Sequence, residues 1–178
     1  MIMTTGILLA GFGGQGILFA GKQIAHAAME QDKFVTWLPS YGPEMRGGTA
    51  NCSVIVSDEE IGAPLVANPD IFIAMNIPSH DKFKEAVNPG GMIIADSSLI
   101  PSAFRRDDIK TIEIPATRLA DENQLKGMAN VIILGKLIKE TGIFDYDFFL
   151  NEMISSIPAS KAKLIDFNKK ALEIGYNN

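Results

Sequence analysis

The chain contains a single cysteine, Cys52, among 178 residues. One thiol makes no internal disulfide and cannot by itself hold an iron–sulfur cluster or a structural zinc. Any metal-based redox centre must therefore sit on another chain. Histidine is almost as scarce, with His26 and His80 only. No His/Cys/Asp cluster has metal-ligand spacing, and no metal is expected. Long apolar runs are also missing, since none reaches the roughly 18 residues of a membrane span. The formal net charge is -5 with no block of like charge. That argues against a role on a nucleic-acid backbone and leaves open the binding of a polyanion at one local site.

What is present reads as one globular domain over residues 1–178. Hydrophobic residues make up 47% and charged residues 21%, a balance that allows a sizeable core and a soluble surface at this length. The start, MIMTTGILLAG, has no basic n-region, and its apolar run leads directly into glycines. It reads as a first strand rather than a signal peptide, and a cytoplasmic location is expected.

Short buried-type strands alternate with helical patterns along the chain. Residues 5–10, Phe34 to Leu38, NCSVIVS, IFIAM, MIIAD and KTIEIPA read as strands. A helix is expected from Gln15 to Gln31, packing through Ile17, Ala20, Gly21, Ile24, Ala25 and Ala28. Ser79 is the expected cap of a short amphipathic helix, SHDKFKEAV. Residues 127–140 are apolar on most of a helical circumference and end at Gly142. Such a helix belongs either in a core or against a partner chain. Two amphipathic helices, YDFFLNEMISSI and KAKLIDFNKKALEIGY, follow. The fold class is α/β: a three-layer α/β/α sandwich on a Rossmann-like, mainly parallel sheet with a helical C-terminus.

The densest motif is GFGGQG. Gly11, Gly13 and Gly16 carry G-x-G-x-x-G spacing, and with Gly14 and Gln15 they form a turn whose backbone N–H groups can approach a phosphate at a helix N-terminus. The dinucleotide fingerprint also needs an acidic residue about 20 positions on, to hold the ribose. Here that region reads FVTWLPSYG, with no acid before Glu44 and no base for a 2′-phosphate. A free-standing NAD(P)-dependent oxidoreductase is thereby disfavoured. The turn fits a phosphate, a neighbouring backbone, or simply a tight strand-to-helix connection.

A second constellation, SYGPEMRGGTANC, frames Glu44 and Arg46 between Gly42, Pro43, Gly47 and Gly48. Tyr41, Thr49 and Asn51 add neutral hydrogen-bonding groups. Arg46 is suited to clamp a phosphate or carboxylate in bidentate fashion; the alternative is a surface loop with an ion pair of small energetic value.

GFGGQGI, SYGPEMRGGTANCSVIVSDEEIGAP and NPDIFIAMN together resemble the gamma subunit of 2-oxoacid:ferredoxin oxidoreductases, in particular the 2-oxoglutarate and branched-chain types. The resemblance is strong from Gly6 to Ser98 and looser beyond. It implies a subunit of a complex, inactive alone, that oxidatively decarboxylates a 2-oxoacid, with 2-oxoglutarate favoured. Coenzyme A is consumed, acyl-CoA and CO2 are released, and electrons pass to ferredoxin. It further implies alpha and beta partners, with or without a ferredoxin-like delta subunit. Thiamine diphosphate, its magnesium and the iron–sulfur clusters belong to those partners. On this resemblance Gly11 to Gly16 contact coenzyme A phosphate or a neighbouring chain, and the loop with Glu44 and Arg46 faces the catalytic interface. The remaining alternative is a structural module whose glycines only seat partner subunits.

Other residues read more plainly. Cys52 alternates with Val54 and Val56 and is expected as a buried structural thiol. His26 lies off the packing face of its helix. Asn76 and Asp96 end buried strands and are expected to point into the glycine-turn crevice, with capping of DSSLIPS the preferred alternative for Asp96. Asp58, Glu59 and Glu60 form a solvated acidic turn.

Overall fold

The structure, a computed structural model, describes residues 3–41 and 49–178, and for Tyr41 and Thr49 the backbone alone. The strands are β1 (Thr4–Phe12), β2 (Phe34–Tyr41), β3 (Thr49–Ser57), β4 (Ile71–Ala74), β5 (Met92–Asp96) and β6 (Lys110–Ile114). They form one sheet in the order β2-β3-β1-β4-β5-β6. The pairings β1–β4, β4–β5 and β5–β6 are parallel, while β3 runs antiparallel to both β1 and β2. The reversal follows from chain length: a parallel return needs a crossover of about a dozen residues, and the connector 42–48 is shorter than that.

The helices are α1 (Ile17–Met29), α2 (Ile77–Phe83), α3 (Ala116–Glu122), α4 (Ala129–Thr141), α5 (Tyr146–Ser155) and α6 (Leu164–Asn177). The small residues of α1 bring it close to the sheet. A Cβ on Gly21 would sit 2.4 Å from Cys52 Sγ, so this glycine is required by the approach of helix to strand. All six residues expected on the packing face of α1 are buried.

The helix α4 is a core element of this chain. Val131, Ile132, Ile133, Leu134, Leu137 and Ile138 are buried together with Leu172 of α6, Phe149 of α5 and the β1 residues Ile7 and Leu9. Each such side chain contributes about 1.5–3 kcal/mol by leaving water. It ends at Gly142, whose φ of 61° is the left-handed stop expected there.

The opposite face of the sheet carries a second, smaller core of Leu8, Ala10, Phe72, Ala74, Ile93 and Ala95. It is covered by α2 and by Val87, Ile100 and Ala103 from the connections around β5. The third layer is thus one short helix plus ordered loop rather than a row of helices.

The helix α3 lies outside the elements expected from periodicity. Thr117 near its start donates from its backbone N (3.1 Å) and from Oγ1 (2.5 Å) to Asp96 Oδ2 at the end of β5. The cap of α2 also differs from expectation. Asn76 is the N-cap and Ser79 sits three residues in, its backbone N donating to Asn76 Oδ1 at 2.8 Å. Asn76 is extended (φ -160°) and Pro78 follows in the first turn, a place where proline needs no donor.

Candidate functional site

The strands β1, β4, β5 and β6 all end on one edge of the sheet. β2 ends there too, because it opposes β3 and β3 opposes β1. The glycine turn leaves β1 at this edge, and the β2–β3 connector begins and ends beside it.

Within the turn, two glycines have a definite conformational duty. Gly14 has φ 94° with nothing within 4 Å of a built Cβ, and Gly16 has φ 74° as the N-cap of α1. A Cβ on Gly16 would lie 2.4 Å from Asn130 Nδ2, which donates to Gly16 O at 3.2 Å. Gln15 closes the turn. Its Oε1 accepts from Phe12 N at 2.6 Å, and its Nε2 donates to Met75 O at the end of β4, 2.9 Å away. Its side chain is therefore occupied in holding the turn.

The N–H groups of Gly13, Gly14 and Gly16 make no hydrogen bond among the described residues. No side chain caps α1. Free amides together with the positive end of a 13-residue helix make an anion-compatible surface.

The turn forms a ridge between two openings. A recess of about 470 Å³ is lined by Phe12, Gly13, Gly14, Leu18, Phe19 and Ala50. A crevice of about 200 Å³ is lined by Gly14, Gln15, Leu99, Thr117, Asp121 and Gly127. Neither lining contains Lys or Arg. Among the described residues, attraction for an anion here rests on the backbone alone.

The other expected residues divide clearly. Asn51 is half-buried on β3, opposite Ala10 of β1 and Ser40 of β2, within reach of the same edge. The backbones of Tyr41 and Thr49 end β2 and begin β3. Gly42, Glu44, Arg46, Gly47 and Gly48 lie outside the described residues. Asn76 and Asp96, 1% and 0% exposed, are used in capping and do not open into the crevices. Asp58 is exposed, but it pairs with Lys33 and accepts from Met3 N, and that ammonium holds its carboxyl below the usual range. Cys52 is fully buried, and burial pushes its thiol up to about 12. It is a neutral packing group.

One participant escaped sequence reading, and one, His80, was left open by it between a cap-adjacent and a site-lining place. Asn130 is 5% exposed and pins Gly16; its signal was a lone amide inside the apolar run GMANVIILG. His80 is 3% exposed. Its Nε2 accepts from Phe104 N at 2.9 Å and its Nδ1 lies 3.3 Å from Asp81 Oδ1. The accepting Nε2 requires the proton on Nδ1. Burial lowers its pKa below the ordinary 6.5, with Asp81 opposing that shift.

The strand order also decides against a nicotinamide site. In a dinucleotide-binding sheet the second strand lies beside the first and its end holds the ribose. Here β3 intervenes, so β2 ends two strand positions from β1, about 10 Å away. Among the described residues, the glycine turn has no acidic neighbour at the end of an adjacent parallel second strand.

The class so defined is a Rossmann-like α/β domain whose glycine turn has the antiparallel β3 beside it in place of a parallel second strand. Residues 6–178 match the pyruvate ferredoxin/flavodoxin oxidoreductase family, and the chain belongs to it. The ketoisovalerate oxidoreductase subunit VorA of Methanothermobacter thermautotrophicus is 38% identical over 95% of this chain and 35% of its own length. The chain thus spans about a third of that relative. The 2-oxoglutarate synthase subunit KorC of Methanocaldococcus jannaschii is 36% identical over 92% of this chain and 90% of its own. A keto/oxoacid ferredoxin oxidoreductase gamma subunit from Geobacter sulfurreducens superposes with TM-score 0.85 at 26% identity, covering 98% of this chain and 95% of that one. The 2-oxoglutarate:ferredoxin oxidoreductase of Magnetococcus marinus, solved with 2-oxoglutarate, coenzyme A and succinyl-CoA, superposes with TM-score 0.85 at 25% identity. It is matched over 98% of this chain and 30% of that one. Among the described residues no helix is long and apolar enough to cross a membrane.

Proposed function

We propose that this chain is the gamma subunit of a cytoplasmic, thiamine-dependent 2-oxoacid:ferredoxin oxidoreductase, folded as one domain over residues 1–178. The complex converts a 2-oxoacid and coenzyme A to acyl-CoA and CO2, and passes the two electrons released to ferredoxin. The observation that carries this reading is the match to the 2-oxoglutarate synthase subunit KorC over 92% of this chain and 90% of that one. That match also favours 2-oxoglutarate as substrate.

Catalytic groups are assigned to the alpha and beta partners, with or without a ferredoxin-like delta subunit. The donor set here does not fit an iron–sulfur cluster, because the one thiol is buried and neutral at physiological pH. Coenzyme A fits better. The open amides of Gly13, Gly14 and Gly16 suit a phosphate, and the guanidinium of Arg46 would add the cation that the described lining lacks. Phe12 and Phe19, 37% and 39% exposed, flank the turn and suit either an apolar ligand segment or a neighbouring subunit. In this reading the chain binds and orients coenzyme A, or the partner surface that does, and keeps bulk water from that edge.

The purely structural reading draws support from Gln15, whose side chain is spent on the turn itself. One experiment separates the two. The complex is captured anaerobically through this chain and assayed for dye reduction with a panel of 2-oxoacids and coenzyme A, beside Arg46→Ala. Activity on 2-oxoglutarate, with a coenzyme A KM raised at least tenfold in the variant, supports ligand contact. Lost assembly at unchanged KM supports the seating role. A chain that elutes alone and inert overturns both.

A further inference from the structure

The connection from β5 to β6 passes through residues 101–105, which make no backbone-to-backbone hydrogen bond among the described residues. Side chains from two other elements hold it instead. From β6, Glu113 Oε1 accepts from Ala103 N at 3.1 Å, and Thr111 Oγ1 donates to Phe104 O at 2.8 Å. From α2, His80 Nε2 accepts from Phe104 N at 2.9 Å. Ala103 is buried in the second core and Phe104 packs against it. The segment is thus a cover on that face of the sheet, fastened by three side chains.

His80 differs from the other two fastenings in kind. A neutral imidazole accepts through one ring nitrogen and donates through the other. Nε2 is the acceptor here, and Nδ1 faces Asp81 Oδ1 at 3.3 Å. A proton on Nε2 sets a donor against the Phe104 N–H in a buried place, and both then lack an acceptor. The charged groups that face the ring are Asp81 and Lys84 of α2, which pair with each other at 2.8 Å. In the segment and β6, Arg105 pairs with Glu113 at 2.9 Å, and Arg106 is engaged by Asp108 and by Val87 O. Burial keeps the ring neutral below its ordinary 6.5; Asp81 opposes this and Lys84 adds to it.

We propose that His80 is a pH-sensitive latch: its neutral ring holds residues 101–106 over the second core, and its protonation lets that cover open while the core around α4 stays closed. The step takes one proton from solvent onto Nε2 and breaks one hydrogen bond. Opening returns the ring to water, where it titrates near about 6.5. The open form therefore binds more protons and gains population as pH falls from there. This proposal is independent of the coenzyme A reading.

The test is hydrogen exchange on the full chain between pH 7.5 and 5, each rate being corrected for the intrinsic effect of pH. The Phe104 amide should exchange ahead of the α4 amides at every pH, as a local opening does. Its protection should fall by about threefold or more over that range. His80→Gln, whose side-chain oxygen accepts but does not titrate, should abolish the fall, while Glu113→Gln should leave it in place. Nitrogen-15 shifts of the parent ring need no variant and should show Nε2 without a proton at pH 7.5. Phe104 protection that is flat with pH, that falls equally in His80→Gln, or that matches α4 throughout overturns the proposal. A ring carrying its proton on Nε2 at pH 7.5 overturns it as well.

Discussion

Gly135 and Gly175 lie where α4 and α6 touch, whereas Gly14 lies on a turn with nothing within 4 Å of where its side chain would begin. A Cβ on Gly175 would sit 1.8 Å from Ile132 O, and one on Gly135 would sit 2.1 Å from Leu172 O. In the helix pair the missing side chain is space that another backbone occupies. In the turn it is a left-handed conformation and an open approach. The contrast teaches that glycine content alone does not mark a ligand site; what stands opposite the hydrogen does.

The largest expected effect is therefore away from the site. Alanine at 175 gains about 1 kcal/mol of helix propensity, but its methyl meets a carbonyl that no rotamer change can move. Net destabilisation of about 2–4 kcal/mol is expected, read as a fall of roughly 5–15 °C in melting temperature. A variant as stable as the parent would break the comparison from the core side.

Gly16→Ala comes next because Gly16 belongs to both groups. Left-handed strain costs about 1 kcal/mol, and displacing Asn130 loses a hydrogen bond of about 1 kcal/mol. A total near 2 kcal/mol is expected in denaturant titration. Gly14→Ala should cost only the strain, about 1 kcal/mol. In the assembled complex the order should invert, Gly14→Ala raising the coenzyme A KM or weakening assembly more than its stability cost explains. Equal kinetics for parent and variant would remove Gly14 from the site.

Acid sharpens the same contrast at smaller scale, since the backbone contact of α4 with α6 does not titrate and His80 does. Burial lowers the folded pKa of His80 below 6.5, so the folded chain binds fewer protons than the unfolded one in that window. The stability held above about pH 6.5 should be lost as pH falls from there through the lowered folded value. Melting curves between pH 7.5 and 5 should show it, and His80→Gln should flatten the slope. Asp58, Asp81, Asp108 and Glu140, lowered chiefly by the lysine or arginine each one pairs with, act only in more acidic solution. The smallest effect is a null one: Cys52 should not react with a thiol reagent until the chain is unfolded.

Much of the fold was legible because burial patterns are local. The 3.6-residue spacing of Ile17, Ala20, Ile24 and Ala28 reports which side faces the core, and those side chains are buried, whereas the strand NCSVIVS is buried on both faces from Cys52 to Ser57. The glycine turn was legible for the same reason, as were the missing ribose acid and the buried cysteine. Less was legible where partners lie far apart. The helix α3 was missed because its cap, Asp96, comes from another element. Ser79 was expected as a cap because it opens a polar run, but Asn76, two residues beyond β4, has the extended conformation that a cap requires.

By itself, then, the sequence determined the alternation of strands and helices, the turn after β1, and the lone cysteine and missing ribose acid that disfavour a metal-cluster or nicotinamide role. Only the tertiary structure decided that β3 stands between β1 and β2, that Gln15 is tied to Met75, and that Glu152 meets His26. The physical reason is range. Periodicity and turn chemistry act over a few residues, whereas strand order and side-chain partnership across helices depend on how whole elements pack, which no local pattern encodes.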